Sequence, residues 1–224
     1  MKSPVVVRSE ARVPEPLGVV VTGGSSGLGF ALVAAFLKAG DRVVTCGRDA
    51  GRLDHALREL RRTTSCGELH AVVCDVSKAS GLESFASFVR ERLGRVDRWI
   101  NNAGSAGRRK RALWELDLEE SLEVISTNLC GSAMACSVVV RLMLEQPGSA
   151  FPVYHIFNMG FSRAGVRFSR SSVPHRASKT GVAAVSRFLL DDLCRHGVTS
   201  IGVHELSPGD RKSTRLNSSH LAES

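Results

Sequence analysis

Aromatic residues are scarce in this chain: 5% of 224 positions, with a single tyrosine, Tyr154. Six cysteines (Cys46, Cys66, Cys74, Cys130, Cys136 and Cys194) are widely spread, and none forms a Cys-x-x-Cys pair. That argues against a zinc ribbon or a small disulfide scaffold and leaves reduced thiols in a core as the expectation. No run approaches the roughly 18 apolar residues of a membrane-spanning helix, so a membrane span is not expected. The opening Met1-Lys2-Ser3-Pro4 leads into no long apolar stretch, so no secretory signal is read there. No repeat period appears, and no interior linker is long or polar enough to divide the chain. What is present is a 43% hydrophobic, 23% charged sequence, enough apolar material for the core of one full-sized domain and too much for global disorder.

The net charge is +8. The basic residues are scattered, apart from the dense run Arg108-Arg109-Lys110-Arg111, which has no interleaved aromatics. A nucleic-acid footprint is therefore not expected. The run reads as a solvated loop that adds mild attraction for an anionic cofactor.

From Gly18 onward the pattern alternates strand and helix. Short apolar runs predict strands over 18–22, 42–46, 69–74, 96–100, 153–157 and 199–206. Periodicity near 3.6 residues predicts helices over 27–38, 49–62, 81–93, 118–144 and 177–194. The nearly uncharged stretch 129–140 of the long helix is expected to be buried, or to be a dimer face. This alternation predicts an α/β fold, a Rossmann-type doubly wound parallel sheet of order 3-2-1-4-5-6 with helices on both faces. Residues 1–17 are expected to be a flexible lead-in, 18–210 a dinucleotide-binding domain and 211–224 a disordered tail.

Between the first strand and first helix stands Thr22-Gly23-Gly24-Ser25-Ser26-Gly27-Leu28-Gly29. Gly23 permits a tight turn, Gly27 a close approach of backbone to a pyrophosphate, and Gly29 close helix packing. Amides at the helix start, with Ser25 and Ser26 in the loop and Leu28 in the first turn, would face the phosphates. An acidic residue ending the second strand would hold the ribose of NAD; here the strand ends Thr45-Cys46-Gly47-Arg48, with no carboxylate before Asp49. Arg48, helped by Ser25 or Ser26, suits a 2′-phosphate, so NADP(H) is favoured over NAD(H). The competing reading makes Arg48 an exposed residue at the helix start.

These residues, together with Asp75-Val76, Asn101-Asn102-Ala103-Gly104, Thr127-Asn128 and Ser207-Pro208-Gly209, carry a resemblance over 18–209 to the short-chain dehydrogenase/reductase family. The resemblance implies Asp75 and Val76 beside the adenine, Asn102, Ala103 and Gly104 supporting the cofactor strand, and Pro208 and Gly209 among the cofactor-binding residues. It implies Asn128 holding a water in a proton relay, and a Ser and a Tyr-x-x-x-Lys pair doing the chemistry. A narrower resemblance, carried by Gly40 to Val44, Ile100 to Ser105, Ser126 to Leu129, Met143 to Pro147, His155 to Met159 and Val203 to Gly209, is to plastid chlorophyll(ide) b reductases. It implies reduction of the C7-formyl group of chlorophyll b to hydroxymethyl with NADPH, in a chloroplast, by a protein that pairs through its long helices. A reductase of another carbonyl is the alternative. No transit segment is evident in this chain.

The pattern departs from the family at one catalytic position. Lys179 is well placed, but four residues before it stands His175 instead of tyrosine. Tyr154 begins a strand and cannot substitute. Ser162 has the spacing of the family's serine, which would polarise the carbonyl oxygen. Ser178 is read as packing. His175 could donate a proton as imidazolium, although Lys179 would disfavour a second positive charge and the imidazole is shorter than a phenol. Three readings stand open: a slow enzyme using His175, an NADP(H)-binding protein with little activity, and a sequence error at this codon. After Gly209 the family continues with a lid helix and a seventh strand. Here Arg211 to Ser224 resembles a non-native, adapter-derived tail. An unpaired edge on the sixth strand is the expected consequence. No metal site is expected.

Overall fold

Val19, Val20 and Val21 have no exposed surface at all, although neighbouring side chains on a strand face opposite sides of a sheet. Both faces at this point must therefore be covered. The computed structural model, which describes residues 15–64, 66–107, 111–161 and 171–207, shows how. Six strands, β1 (Gly18–Thr22), β2 (Arg42–Gly47), β3 (Glu68–Val73), β4 (Arg98–Asn101), β5 (Tyr154–Met159) and β6 (Ile201–Leu206), form one sheet of order β3-β2-β1-β4-β5-β6. Every pairing is parallel, as expected from strands separated by helices. The chain reverses its direction of travel across the sheet between β1 and β4, which opens a crevice at the carboxyl ends of the strands.

One layer packs α1 (Gly27–Lys38) and α2 (Ala50–Thr63) against Val19, Val21, Val43 and Ile100, through Val33, Leu37 and Leu60. The other layer packs α3 (Ala79–Leu93), α5 (Gly131–Leu144) and α6 (Val173–Arg195) against Val20, Val44, Trp99, Ile156 and Ile201. Trp99 and Phe85 are buried at the centre of this second layer with ring centroids 5.6 Å apart and edge-to-face. That geometry adds roughly 0.5–1.5 kcal/mol to their apolar burial.

The sequence boundaries hold closely, with three informative differences. First, α6 starts at Val173, not at 177, because Pro174 occupies its first turn, where a missing N–H costs nothing. His175 thereby becomes helical. Second, residues 96 and 97 do not belong to β4; Val96 donates its amide to Gln146 Oε1 (2.6 Å), and the Asp97 carboxylate accepts from the Gly18 amide at 2.7 Å. Third, the helix over Leu118–Leu144 is continuous but not uniform. It comprises α4 (Leu118–Ile125), a π turn at Ser126–Cys130, and α5.

That helix also corrects the reading made from run length. By length and composition Leu118–Leu144 is long and apolar enough to cross a membrane, yet 56% of its apolar window is buried inside the fold. Ala135, Cys136, Val138, Val139, Leu142 and Met143 pack into the second layer. Among the described residues, β6 pairs on one side only, with β5. The expected lead-in and tail, and the basic run 108–110, lie outside the described residues except for 15–17.

Candidate active site

The crevice begins with the turn after β1. Gly23 has φ +72°, and the amides of Gly23 and Gly24 both donate to the Cys46 carbonyl, at 2.9 and 3.1 Å. A side chain at Gly29 would overlap the Gly23 carbonyl and the Asn102 amide nitrogen. Only glycine lets α1 start this close to the loop. No side chain caps α1 and no acidic residue stands in its first turn, so its leading amides have no intramolecular anion to satisfy them. The resulting cleft, about 360 Å³, is lined by Gly23, Ser25, Ser26, Gly27, Leu28 and Gly29 on one side and by Asp75, Val76, Asn102, Ala103 and Gly104 on the other. Every cofactor residue expected from the sequence and described here, apart from Lys179, lines it; Pro208 and Gly209 lie outside the described residues.

The wall is held by a small network. Thr22 Oγ1 accepts from the amides of Asn102 (3.1 Å) and Ala103 (3.0 Å). Asn102 Nδ2 donates back to the carbonyls of Thr22 (2.9 Å) and Gly23 (3.2 Å). The end of β1 is thus tied to the strand segment after β4. Asp75 is turned inward on Ser77, whose amide and hydroxyl donate to its carboxylate at 3.0 and 2.8 Å. Burial pushes this carboxyl up, but the Ser77 bonds and the charges of Lys78 and Arg48 outweigh it and leave it below its ordinary value.

The far end of the cleft carries two guanidinium groups. Arg48 lines it as expected, but Nη1 is engaged by Glu123 Oε1 on α4 at 2.6 Å. Arg52, one helical turn further on, also lines it and donates to Ser26 Oγ at 3.3 Å. Sequence reasoning missed both Arg52 and Glu123. Arg52 was within reach of it, since residues four apart share a helix face; Glu123 arrives by tertiary packing that no local pattern shows. The nearest carboxylate after β2, Asp49, caps α2 by accepting from the Arg52 amide at 2.9 Å.

The residues expected to do the chemistry gather where the π turn meets α6. Asn128 is fully buried, and its side chain is spent on the backbone and a hydroxyl. Its Oδ1 accepts from the Ser105 amide (2.8 Å), and its Nδ2 donates to the Ser105 carbonyl (2.9 Å) and Ser178 Oγ (3.0 Å). Ser178 Oγ in turn donates to the His175 carbonyl at 2.9 Å. Ser178, read as packing, is therefore the link between the π turn and the first turn of α6. Lys179 is 8% exposed and donates from Nζ to the Met159 carbonyl at 2.6 Å. Burial pulls its pKa from 10.5 down to about 8. Gly104 lies between Asn128 Oδ1 and Lys179 Nζ, so that a Cβ there would meet both. Hence Asn128, Lys179 and the cleft wall meet at one point. His175 is half-buried one turn before Lys179, with its ring edge-on to Phe161 at 5.3 Å. Ser162 lies outside the described residues. Tyr154 is buried elsewhere, its hydroxyl donating to the Pro147 carbonyl at 2.9 Å. Among the described residues no cluster of three or more His, Cys, Asp or Glu could hold a metal ion.

Comparison with known proteins agrees with this geometry. The family model for short chain dehydrogenase matches residues 18–223. The chain is 35% identical over 204 residues to chlorophyll(ide) b reductase NOL, chloroplastic, of Oryza sativa subsp. japonica, covering 91% of this chain and 58% of that protein. It spans about half the length of the curated relatives it matches. A short chain dehydrogenase/reductase from Burkholderia phymatum in complex with NAD superposes with a TM-score of 0.73 at 29% identity, covering 85% of this chain and 64% of that one. A metagenomic short-chain oxidoreductase in complex with NADP gives a TM-score of 0.72 at 27% identity, covering 86% and 83%.

Proposed function

Because this chain belongs to the short-chain dehydrogenase family, we propose that it is an NADPH-dependent carbonyl reductase acting like chlorophyll b reductase, on the C7-formyl group of chlorophyll b or its chlorophyllide. The observation that carries the cofactor choice is the pair Arg48 and Arg52 at the end of the cleft, with Ser26 beside them and the carboxylate of Asp49, which also lines the cleft, engaged by the Arg52 amide as the cap of α2. Two guanidinium groups favour a 2′-phosphate through charge-assisted hydrogen bonds, and no carboxylate ends β2 to claim the ribose hydroxyl. The uncapped start of α1 suits the pyrophosphate. The substrate class is supported by the chloroplastic relatives, which also support a chloroplast location.

Bound NADPH would supply hydride to the carbonyl carbon. The chain's own residues must position the carbonyl and deliver a proton to its oxygen. Lys179, protonated below about pH 8, would hold the nicotinamide ribose and set the local positive potential. Asn128 would fix the wall against α6, and Ser162 would polarise the carbonyl. His175 would donate the proton from the place the family gives to tyrosine. Asp75, Val76, Asn102, Ala103 and Gly104 would flank the adenosine and nicotinamide ends, and Pro208 and Gly209 would add further cofactor contacts. Leu129, Ala133 and Met134 remain partly outward on the long helix, so pairing through that helix is compatible with its burial elsewhere.

The presence of His175 at the proton-donor position favours a second reading, an NADP(H)-binding protein with little activity. Titration with NADPH and NADH tests the cofactor assignment, and turnover of a formyl-bearing chlorophyllide with NADPH tests the reaction. Tighter NADPH binding with hydroxymethyl product supports the reductase. Tight NADPH binding without product supports the binder. Equal affinities, or preference for NADH, overturn the cofactor assignment.

A further inference from the structure

Two cysteines stand in the wall of the cofactor cleft. Cys46 is the fifth residue of β2, and Cys74 is the residue after β3. Both line the cleft, next to Gly47 and Arg48 on one strand and Asp75 and Val76 on the other. The strands are adjacent and in register, with Gly47 opposite Val73, and the Cys74 amide donates to the Gly47 carbonyl at 3.1 Å. Cys46 is aligned with Val72, so Cys46 and Cys74 point to the same sheet face two positions apart. The two thiols influence one another, the Cys74 thiol also donates to the Gly81 carbonyl at 3.4 Å, and neither is in a disulfide. Cys46 is fully buried, whereas Cys74 keeps 6% of its surface.

We propose that Cys46 and Cys74 are a redox-sensitive dithiol whose oxidation to a disulfide closes the adenosine end of the cleft. The assignment of that end rests on the cofactor reading above. Three features support it. The pair sits on adjacent, hydrogen-bonded strands, so no strand must separate. Cys74 keeps exposed surface at the cleft while Cys46 has none, and the interaction between them lowers the Cys74 pKa and, with burial, raises that of Cys46; Cys74 is the nucleophile and Cys46 the resolving thiol. Finally, Cys74 immediately precedes the Asp75–Val76 wall, so drawing its sulfur to covalent distance pulls that wall toward β2.

The oxidant we name is a peroxide. The Cys74 thiolate attacks one peroxide oxygen, the O–O bond breaks and hydroxide leaves, giving a sulfenic acid. Cys46 then attacks the Cys74 sulfur, the S–O bond breaks, and the oxygen leaves as water with the Cys46 proton. Two thiols have lost two electrons and one peroxide has become two waters. A dithiol reductant reverses the change by exchange. A bound dinucleotide would cover Cys74 and slow the first step.

The test treats the reduced full chain with one equivalent of hydrogen peroxide, with and without NADPH. Intact mass and peptide mapping follow the thiols, and titration with NADPH follows the cleft. We expect loss of two hydrogen atoms, a Cys46–Cys74 link, and NADPH affinity reduced at least tenfold and restored by dithiothreitol. NADPH added first should prevent the link. Cys74→Ala should abolish it; should that variant unfold, the wild-type map decides alone. A link between other cysteines, unchanged affinity after oxidation, or no protection by NADPH overturns the proposal. The mass and mapping need no cofactor, so a reduced protein that forms the link yet binds neither NADPH nor NADH overturns the cofactor reading and the closing role while leaving the dithiol itself established.

Discussion

Replacing Lys179 by methionine is predicted to make the free protein more stable at neutral pH and a poor binder of NADPH. The Lys179 ammonium is 8% exposed and has the Met159 carbonyl, at 2.6 Å, as its hydrogen-bond acceptor. Burial lowers its pKa from 10.5 to about 8. At about 1.36 kcal/mol per unit, keeping the charge costs the folded state about 3 kcal/mol below pH 8. The sign follows from proton counting. The unfolded chain keeps this proton up to about pH 10.5 and the folded chain only up to about pH 8. Between these limits the unfolded state holds more protons, so this group makes stability rise with pH. Below about pH 8 both states are protonated and the penalty is constant. Methionine removes the penalty at similar volume, but strips the Met159 carbonyl of its donor, which costs about 1–3 kcal/mol. The net expectation is a gain of about 1–2 kcal/mol at pH 7 that shrinks to nothing or reverses near pH 10. Urea unfolding of both proteins at the two pH values measures it. Should the variant be less stable at pH 7, or the difference be the same at both, burial is not what sets the state of Lys179.

Three further outcomes are expected. Glu123→Gln releases Arg48 from its half-exposed ion pair, worth about 0.2–1 kcal/mol, so calorimetry should show NADPH bound up to about fivefold tighter with NADH unchanged; weaker NADPH binding would refute it. Gly29→Ala forces a methyl onto the Gly23 carbonyl and Asn102 and should cost about 1–3 kcal/mol in urea unfolding together with dinucleotide binding; a variant that keeps both would show that α1 can move aside. His175→Tyr should raise turnover of a formyl substrate by about 10²-fold or more with NADPH affinity unchanged, and if His175→Tyr and His175→Ala both leave the rate at its wild-type value, no proton passes through this position.

The sheet order was readable because β-branched runs such as Val19–Val21 and Val43–Val44 are buried on both faces, and such runs separated by helices admit only parallel pairing. The glycine loop was readable because its requirement is local: a positive φ at Gly23 and no room at Gly29. What escaped was non-local or hidden in phase. The ion pair of Arg48 with Glu123 joins residues 75 positions apart, and nothing about either one signals the other. Ser178 looked like a packing residue because its burial is real, at 1% exposed, and its role appears only when Asn128 is folded against it. The span Leu118–Leu144 was judged by uninterrupted apolar residues, whereas a helix interrupted by a few small polar ones is apolar on average and still belongs to a core.

The π turn at Ser126–Cys130 has a consequence for how this helix can change. A π turn holds one residue more than the α turn it replaces, and one residue is about 100° of rotation around an α-helix. The halves α4 and α5 are thus out of phase by one residue, and both are anchored: Val124 is buried on one side of the turn, Ala135 and Val139 on the other. Deleting any one residue of the turn would straighten the helix only by swinging one anchored half out of its seat. Exchanging the outward side chains there, those of Ser126 and Cys130, is cheap by comparison. Outside the buried Thr127 and Asn128, the turn should therefore tolerate drift in sequence while resisting any change in length, like a gear that accepts new teeth but never a different number of them.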